Sequence, residues 1–432
     1  MVRSVVSAAF GNRKMAAQAR AILDVDFTEI ETSLTRIKCY CISDLHADSE
    51  KNQAWVREKC VRRVEDSDAY TIIVLPGDVG SEIDRLESVF RTLTANYNAV
   101  MFVPGNHEAW RRGIAAGGSA TIPEERAENR MAVDSIVKLQ EVMNMAKVEG
   151  VYVGPLRVKI SDSNVTNSHA TSQGSLGQQS TENISLNTLD DRTKTNTPKS
   201  VLGGEGVVIF PLLSWYHSGW DKEPEITHPD YLDVEEAIPF ARKWGDFSMC
   251  SWPDDIVMQE DFCSTVNDNT ALAKAFAAVN EPFLPQPEPS TSIDNLVGST
   301  LTNDLQELRS PLVNDGDTVI SFSHFLPRQE LCPEKRFLLE PLLAKVIGSD
   351  FLEEQIRRLK PDLHLFGHTH IGIDLELEGI RYVQWPKGYN KYVMCNNVYL
   401  FALDNIGYSV YLAFHFPVKL NMPFPRLIDT FE

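Results

Sequence analysis

The sequence predicts an α/β protein in which short buried strands alternate with amphipathic helices. Three apolar runs near the N-terminus, 36–43, 71–77 and 99–105, are rich in β-branched residues, and each ends in a polar cluster. Continuous apolar runs of this length are typical of strands that are buried on both faces. Segments 50–65 and 81–95 carry charged residues among spaced apolar ones, which predicts helices that connect parallel strands. The chain therefore opens with a predicted β-α-β-α-β unit.

Further strands are predicted along the rest of the chain, and the later ones are spaced closely enough to form hairpins. These segments are 206–215, 318–323, 363–367, 380–385, 398–403 and 408–416.

Two polar stretches interrupt this pattern. Residues 161–200 are rich in Ser, Thr, Asn, Gln and Gly, and residues 281–303 are polar and Pro-rich. Such compositions bury too little apolar surface to offset the entropy that ordering costs. Both stretches are therefore predicted to be disordered insertions in a single domain that spans 35–432.

The composition fits a globular enzyme. The chain has 432 residues, of which 43% are hydrophobic, and this is enough for a sizeable core. A formal net charge of -19 disfavours non-specific binding to nucleic acid or anionic lipid. No apolar run approaches the ~18 residues that a membrane span needs, so no membrane partner is expected. Seven cysteines without framework spacing indicate reduced thiols inside a cell.

The N-terminal segment has the composition of a leader. Its first twenty residues contain four basic side chains and no acidic ones, which resembles an organellar transit peptide. A disordered or helical cytosolic leader is the alternative. Residues 1–34 are therefore predicted to be a leader, and the expected location is cytoplasmic, or plastid or mitochondrial if the leader is a transit peptide. The sequence does not indicate an oligomeric state.

The polar clusters that end five predicted strands contain side chains that can bind metals. In chain order they read Asp-Leu-His at 44–46, Gly-Asp at 77–78, Gly-Asn-His-Glu at 105–108, Ser-His at 323–324 and Gly-His-Thr-His at 367–370. Ligands of open α/β sheets gather beyond the carboxyl ends of the strands, so these side chains are predicted to meet at one rim. Oxygen and imidazole donors without a thiolate suit Mn, Fe, Zn or Ni.

Such a donor set is suited to a pair of cations, and a cation pair can assist the attack of water on a phosphoester. Two cations about 3.5 to 4 Å apart can share a hydroxide, lower its pKa and hold the phosphoryl oxygens during in-line displacement. No protein nucleophile is then required. Protonation of the leaving oxygen falls to a histidine that is not a ligand, and His107, next to Asn106, is the candidate.

In this order, the five clusters resemble the motif series of the calcineurin-like metallophosphoesterase superfamily, from residue 36 to about 385. The wider segments 321–336 and 366–386 resemble those of plant and algal members. The resemblance implies a four-layer α-β-β-α sandwich, with two mixed sheets face to face and helices outside. It also implies a catalytic role for His107 and two metals bridged by Asp78. The implied ligands are Asp44, His46, Asp78 and His370 for one metal, and Asp78, Asn106, His324 and His368 for the other.

One departure from the superfamily narrows the expected activity. The phosphoprotein phosphatase branch continues its second motif into Asp-Arg-Gly, whereas residues 77–82 here read Gly-Asp-Val-Gly-Ser-Glu. The arginine that binds the phosphoprotein substrate in that branch has no counterpart in this motif. The expected activity is hydrolysis of a phosphomonoester or phosphodiester, with a phosphorylated small molecule or other phosphoester as substrate. A non-catalytic metal-binding scaffold is the alternative, although no ligand residue is missing.

Other residues near the motifs have two possible roles each. His364 is expected to pack or hydrogen-bond beside the site rather than bind metal. Arg328 could contact a substrate phosphate or form a surface ion pair. The aromatic run 214–220 could line a substrate pocket or pack in the core. Asp48 and Glu108 could orient ligands or be solvated loop carboxylates.

Overall fold

The computed structural model describes residues 25–61, 66–111, 134–161, 206–226, 240, 244–253, 268–286, 310–338 and 340–388, and the backbone of 426–431. The strands are β1 (Thr28–Thr32), β2 (Arg36–Cys41), β3 (Ala69–Pro76), β4 (Ala99–Val103), β5 (Leu156–Ile160), β6 (Gly206–Pro211), β7 (Thr318–Phe322), β8 (Leu363–Phe366), β9 (Ile373–Leu377), β10 (Ile380–Gln384) and β11 (Arg426–Phe431).

The helices flank the strands, and short 3-10 turns connect several of the segments. The α-helices are α1 (Glu50–Lys59), α2 (Ile83–Thr94), α3 (Asn106–Ala109), α4 (Ser135–Val148), α5 (Asp246–Met249), α6 (Thr270–Asn280) and α7 (Asp350–Leu359). The 3-10 turns are Ser218–Trp220, Glu281–Phe283, Gln329–Leu331, Lys335–Phe337 and Pro341–Val346.

The smaller sheet contains the predicted β-α-β-α-β unit. Its order is β11-β2-β3-β4, in which β2, β3 and β4 are parallel and β11 is antiparallel at one edge. All eight residues of β3 are buried, as the continuous apolar run predicts. Helix α2 buries Leu86, Val89, Phe90 and Leu93, which repeat at helical spacing. Each such buried side chain contributes about 1.5–3 kcal/mol relative to an exposed one.

The larger sheet is mixed and has the order β1-β5-β6-β7-β8-β10-β9. Strands β6, β7, β8 and β10 run parallel, whereas β5 and β9 run antiparallel to their neighbours β6 and β10. Helix α7 covers β6 and β7 with Leu352, Ile356 and Leu359. Its first turn carries acidic residues and its last turn basic ones, an arrangement that stabilises the helix dipole.

The main core lies between the two sheets. It joins Cys39 and Val74 of the smaller sheet to Val207 and Ile320 of the larger one, all with almost no exposed surface. Because each sheet buries its second face under helices, the arrangement is the four-layer α-β-β-α sandwich that the motif resemblance implied. The fold prediction is therefore confirmed.

Two predicted boundaries differ from the structure. Strand β1 lies within 1–34, the predicted leader, and pairs in parallel with β5, so residues 28–32 belong to the larger sheet. The predicted insertion 281–303 begins with a 3-10 turn at Glu281–Phe283, and Leu284 is buried against β6 and α7. The predicted strands at 398–403 and 408–416 lie outside the described residues, as do 162–200 and 287–303.

No helix in the described part of the chain combines the length and the apolar character that crossing a membrane requires.

Candidate metal centre

The seven candidate ligands converge where strands of both sheets end. Three motifs follow β2, β3 and β4 of the smaller sheet, and two follow β7 and β8 of the larger one. The rim that the sequence predicted is thus formed by two facing sheets rather than by the edge of one. The residues brought together are Asp44, His46, Asp78, Asn106, His324, His368 and His370.

The first group of ligands contains Asp44, His46, Asp78 and His370. One donor atom from each of these side chains lies within 4.8 Å of the others. The Nε2 atoms of His46 and His370 are 2.9 Å apart, and His370 Nε2 is 3.5 Å from Asp44 Oδ1. These atoms face a common point, as ligands of one cation do.

The second group is centred on His324, which is completely buried. Its Nε2 atom lies 3.0 Å from Asn106 Oδ1, 3.4 Å from Asp78 Oδ1 and 3.2 Å from His368 Nδ1. Asp78 therefore contributes to both groups.

The backbone at the ligands is unusual. Of the seven non-glycine residues with positive φ in the described chain, five are candidate ligands. Such conformations are rare outside glycine and cost of order 1–3 kcal/mol each, so they persist only where the surrounding structure imposes them. They turn the side chains out of the strand direction and towards one another. The five residues are Asp44, His46, Asp78, His368 and His370, with φ between 44° and 77°.

Backbone carbonyls set the tautomers of two histidines. The Nδ1 atom of His324 donates to the Pro76 carbonyl at 3.0 Å, and Nε2 of His368 donates to the Val346 carbonyl at 2.9 Å. Because a carbonyl only accepts, the lone pairs of His324 Nε2 and His368 Nδ1 face the other ligands. Burial lowers the pKa of His324 to about 4 and holds the pKa of His368 well below its usual value. Both imidazoles are therefore neutral, the form that binds metals.

Buried carboxylates supply the negative charge of the site. Asp44, Asp78, Glu108 and Asp246 are each at most 3% exposed. Burial, followed by the nearby charges of Glu108 and Asp44, raises the pKa of Asp78 well above its usual value. Buried charges of one sign require compensation, and divalent cations between these groups would supply it. The donor set and the charge therefore both fit a pair of divalent cations.

Asp48 and Glu108 hold the loops that carry the candidate ligands. They therefore orient these loops rather than act as solvated loop carboxylates. Asp48 accepts from the backbone amides of Ser81 and Glu82 and thereby ties the first motif to the turn after β3. Glu108 accepts hydrogen bonds of 2.7–3.0 Å from four backbone amides, those of Asp78, Val79, Gly80 and Gly105.

His107 lies beside the ligands without belonging to either group. It is 8% exposed, and its Nε2 atom is 3.8 Å from Asp78 Oδ2. The ring stacks on Trp110 with a centroid distance of 3.7 Å and meets the edge of His46 at 4.6 Å. A histidine in this position can exchange a proton with a group bound at the rim.

The other candidates have structural contacts. His364 is buried between the hydroxyls of Ser321 and Ser323, at 2.8 and 3.1 Å, and lies outside both ligand groups. Arg328 forms ion pairs with Glu330 and Glu378. Of its two predicted roles, the structure therefore shows the ion pair.

The aromatic run 214–220 contributes mainly to the core. Trp215 and Tyr216 are almost fully buried, and both contact Phe325 edge-on. Trp220 is buried in a separate cluster and donates to the Pro327 carbonyl.

Sequence reasoning missed Asp246. This residue accepts a hydrogen bond from Asn106 Nδ2 at 2.8 Å. It follows no predicted strand and belongs to no motif, so no local signal marked it. Only the proximity of residues 106 and 246 in the fold reveals the contact.

Part of the chain matches a known protein family. The family model of the calcineurin-like phosphoesterases matches residues 37–231, so the chain contains a calcineurin-like phosphoesterase domain. The resemblance of the motifs to this family is therefore confirmed for this part of the chain. Among solved structures, the chain is similar to a phosphopantetheinyl hydrolase from Mycobacterium tuberculosis, with 13% identity, a TM-score of 0.47, and coverage of 83% of this chain and 92% of that chain. The comparison with curated proteins found no match.

Replacing Gly105 with alanine is expected to disturb the second ligand group. A Cβ atom there would lie 2.8 Å from both the Asp78 amide nitrogen and His324 Cδ2, closer than real contacts allow. We expect Gly105→Ala to weaken metal binding about 10- to 100-fold, because this is the usual effect of displacing residues that support metal ligands. Metal analysis after dialysis against Mn²⁺ measures this effect.

The matched control is Gly150→Ala. Gly150 has φ of +79°, and a Cβ atom at this position would have no described residue within 4 Å, so the substitution strains the backbone away from the site. It should cost about 1 kcal/mol of stability and leave metal content unchanged. Full metal content in Gly105→Ala would contradict the packing argument.

Proposed function

We propose that this protein hydrolyses a phosphomonoester or phosphodiester with the help of two divalent cations. The observation that carries the proposal is the pair of candidate ligand groups that share Asp78. Asp44, His46, Asp78 and Asn106 lie in the part of the chain that matches the calcineurin-like phosphoesterase model. Oxygen and imidazole donors suit Mn, Fe, Zn or Ni, and the buried carboxylates supply compensating charge.

The seven residues would divide between the two cations. Asp44, His46, Asp78 and His370 would hold one, and Asp78, Asn106, His324 and His368 the other. When bound, such a pair supplies an activated water and neutralises charge on the phosphoryl group.

The surrounding residues keep these ligands in place. Asp44 accepts from the Ser43 hydroxyl at 2.5 Å and from the His368 amide at 2.9 Å, which links the first and last motifs. The Thr369 hydroxyl donates to Oε1 of Gln384, a residue of the neighbouring strand β10, at 2.7 Å. These contacts support a preorganised site, because the ligands need no rearrangement before substrate binds.

His107 is proposed as the general acid. It is close to Asp78 but outside the ligand groups, and its stack on Trp110 limits rotation of the ring. Its Nε2–H would donate a proton to the leaving oxygen of the substrate as the ester bond breaks. A neutral alcohol would then leave instead of an alkoxide.

The proposed substrate is a phosphorylated small molecule or another compact phosphoester. The second motif lacks the arginine that the protein phosphatase branch uses, and Arg328 is engaged with two glutamates. A net charge of -19 also opposes the approach of large polyanions.

The proposal is tested with the purified full chain, stripped of metal and reloaded with Mn²⁺. We expect two bound metals per chain and turnover of p-nitrophenyl phosphate or bis-p-nitrophenyl phosphate, lost with a chelator and restored by metal. Bound metal without turnover of either compound would favour the non-catalytic scaffold. Failure to bind metal would overturn the proposed centre itself.

A further inference from the structure

Asp246 is a buried carboxylate whose two oxygens both accept hydrogen bonds, Oδ1 from another segment of the chain and Oδ2 from its own. Its Oδ1 atom accepts from Asn106 Nδ2 at 2.8 Å and from Trp110 Nε1 at 2.6 Å. Its Oδ2 atom accepts from Trp244 Nε1 at 2.9 Å. Hydrogen bonds to a charged acceptor are among the strongest in proteins, so these three side chains are firmly oriented.

The contact decides which end of the Asn106 amide faces the ligands. The amide oxygen and nitrogen have nearly the same shape, so only their hydrogen-bond partners distinguish the two orientations. A carboxylate accepts and does not donate, which requires the Asn106 nitrogen to face Asp246. The Asn106 oxygen is then directed at His324 Nε2, 3.0 Å away, where a cation of the second group would lie.

The same carboxylate also orients aromatic rings that contact two site histidines. Trp110, held through its Nε1 atom, stacks on His107. Trp244, held by the other oxygen, meets the ring of His368 edge-on at a centroid distance of 5.9 Å. These contacts reach His107 and His368, and the hydrogen bond to Asn106 reaches the second group directly.

The segment that carries Asp246 is itself anchored to the third motif. Gly245 packs so closely on Trp110 that a Cβ atom would lie 2.8 Å from the Trp110 ring. At the end of the segment's helix, Arg111 donates to the Met249 carbonyl at 2.9 Å. Asp246 is therefore held at a defined position relative to Asn106.

From this geometry we propose that Asp246 is a positioning residue for the second cation and, through Trp110, for His107. It touches neither substrate nor reacting atoms and acts only through Asn106 and Trp110. The proposal rests on the proposed function of the same site. It adds that the two cations depend differently on Asp246. Loss of the carboxylate weakens the group of Asn106, His324 and His368 and spares the first group.

The test is Asp246→Asn in the full chain, with Mn²⁺ binding measured by equilibrium dialysis and metal analysis. The new amide is uncharged and leaves one acceptor oxygen for the three donors of Asn106, Trp110 and Trp244, which weakens the restraint on the Asn106 amide. We expect one tight site to remain and the affinity of the second to fall about 10- to 100-fold, the usual effect of losing such a supporting contact. Turnover should fall with occupancy of the second site.

Two further variants separate positioning from general stability. Trp244→Phe removes one donor to Asp246 but keeps the Asp246 contact with Asn106 and an aromatic ring beside His368, so the affinity of the second site should fall much less than in Asp246→Asn. The double variant Asp246→Asn with Asn106→Asp restores a donor opposite an acceptor, and it should recover part of the affinity lost in the single variant. Because Asn106→Asp also adds a negative charge to the ligand group, the recovery is compared with the effect of Asn106→Asp alone. A residue with only a structural role would show no recovery beyond that effect.

The outcomes distinguish this proposal from the proposed function. Two sites of unchanged affinity in Asp246→Asn, or equal loss of both sites without rescue in the double variant, would overturn the role of Asp246 while leaving the phosphoesterase proposal intact. A wild-type chain that binds no Mn²⁺ would overturn the proposed function and the role of Asp246 with it.

Discussion

Replacing Asp78 with asparagine is expected to reduce bound metal and phosphoesterase turnover together. Asp78 is the one residue common to both ligand groups in the described chain, and an amide in its place loses a negative charge and one of two donor oxygens. Removing a residue that merely supports a metal ligand usually lowers metal affinity or activity about 10- to 100-fold. Removing the bridging ligand itself should therefore lower turnover at least about 100-fold. Metal analysis and turnover at matched Mn²⁺ concentrations measure both effects.

The chain offers a matched control in Asp66. This carboxylate is 1% exposed and pairs with Lys38 at 2.7 Å and with the Tyr40 hydroxyl at 2.8 Å. It lies just before β3 begins, at the end of the smaller sheet opposite the ligands. Asp66→Asn should lower stability, because it breaks a buried ion pair, and should leave metal content unchanged. Two metals bound with wild-type affinity in Asp78→Asn would show that Asp78 is not the bridge.

Replacing His107 with alanine is expected to slow turnover about 10²- to 10⁴-fold, the usual contribution of general acid catalysis, with metal content unchanged. The reason is that His107 lies next to the ligands but in neither group. The loss should be larger for an alkyl phosphate than for p-nitrophenyl phosphate, because a nitrophenolate leaves without a proton. Comparing the two substrates therefore tests the acid role specifically.

His217→Ala is the control for removing a buried histidine. His217 accepts from the Asp350 amide at 3.2 Å and belongs to neither ligand group. Its loss should affect stability and spare turnover. If His107→Ala loses metal in proportion to its activity, His107 is a ligand or a support rather than an acid. Equal losses for both leaving groups would also contradict the acid role.

Much of the fold was predictable because its signals are local. The β-α-β-α-β opening follows from apolar runs that alternate with amphipathic helices, and the structure places β2, β3 and β4 within a few residues of the predicted runs. The missed elements lack such signals. Strand β9 is charged and mostly exposed, and it is a strand because it pairs with β10. Strand β1 lies in the predicted leader, and it is ordered by pairing with β5, far along the chain.

The sequence alone determined the residue types of the candidate ligands and their order along the chain. It also indicated the family and the expected metal chemistry. This was possible because each motif directly follows a strand, and the strands of both sheets direct these carboxyl ends to the same rim.

Only the tertiary structure decided how those side chains face one another. The Pro76 and Val346 carbonyls set the tautomers of His324 and His368, and Asp246 orients the Asn106 amide. Each of these contacts joins residues distant in sequence, so no local pattern encodes it. Left-handed backbone at five ligands is likewise imposed by packing between the sheets, because those residues would not adopt it on their own.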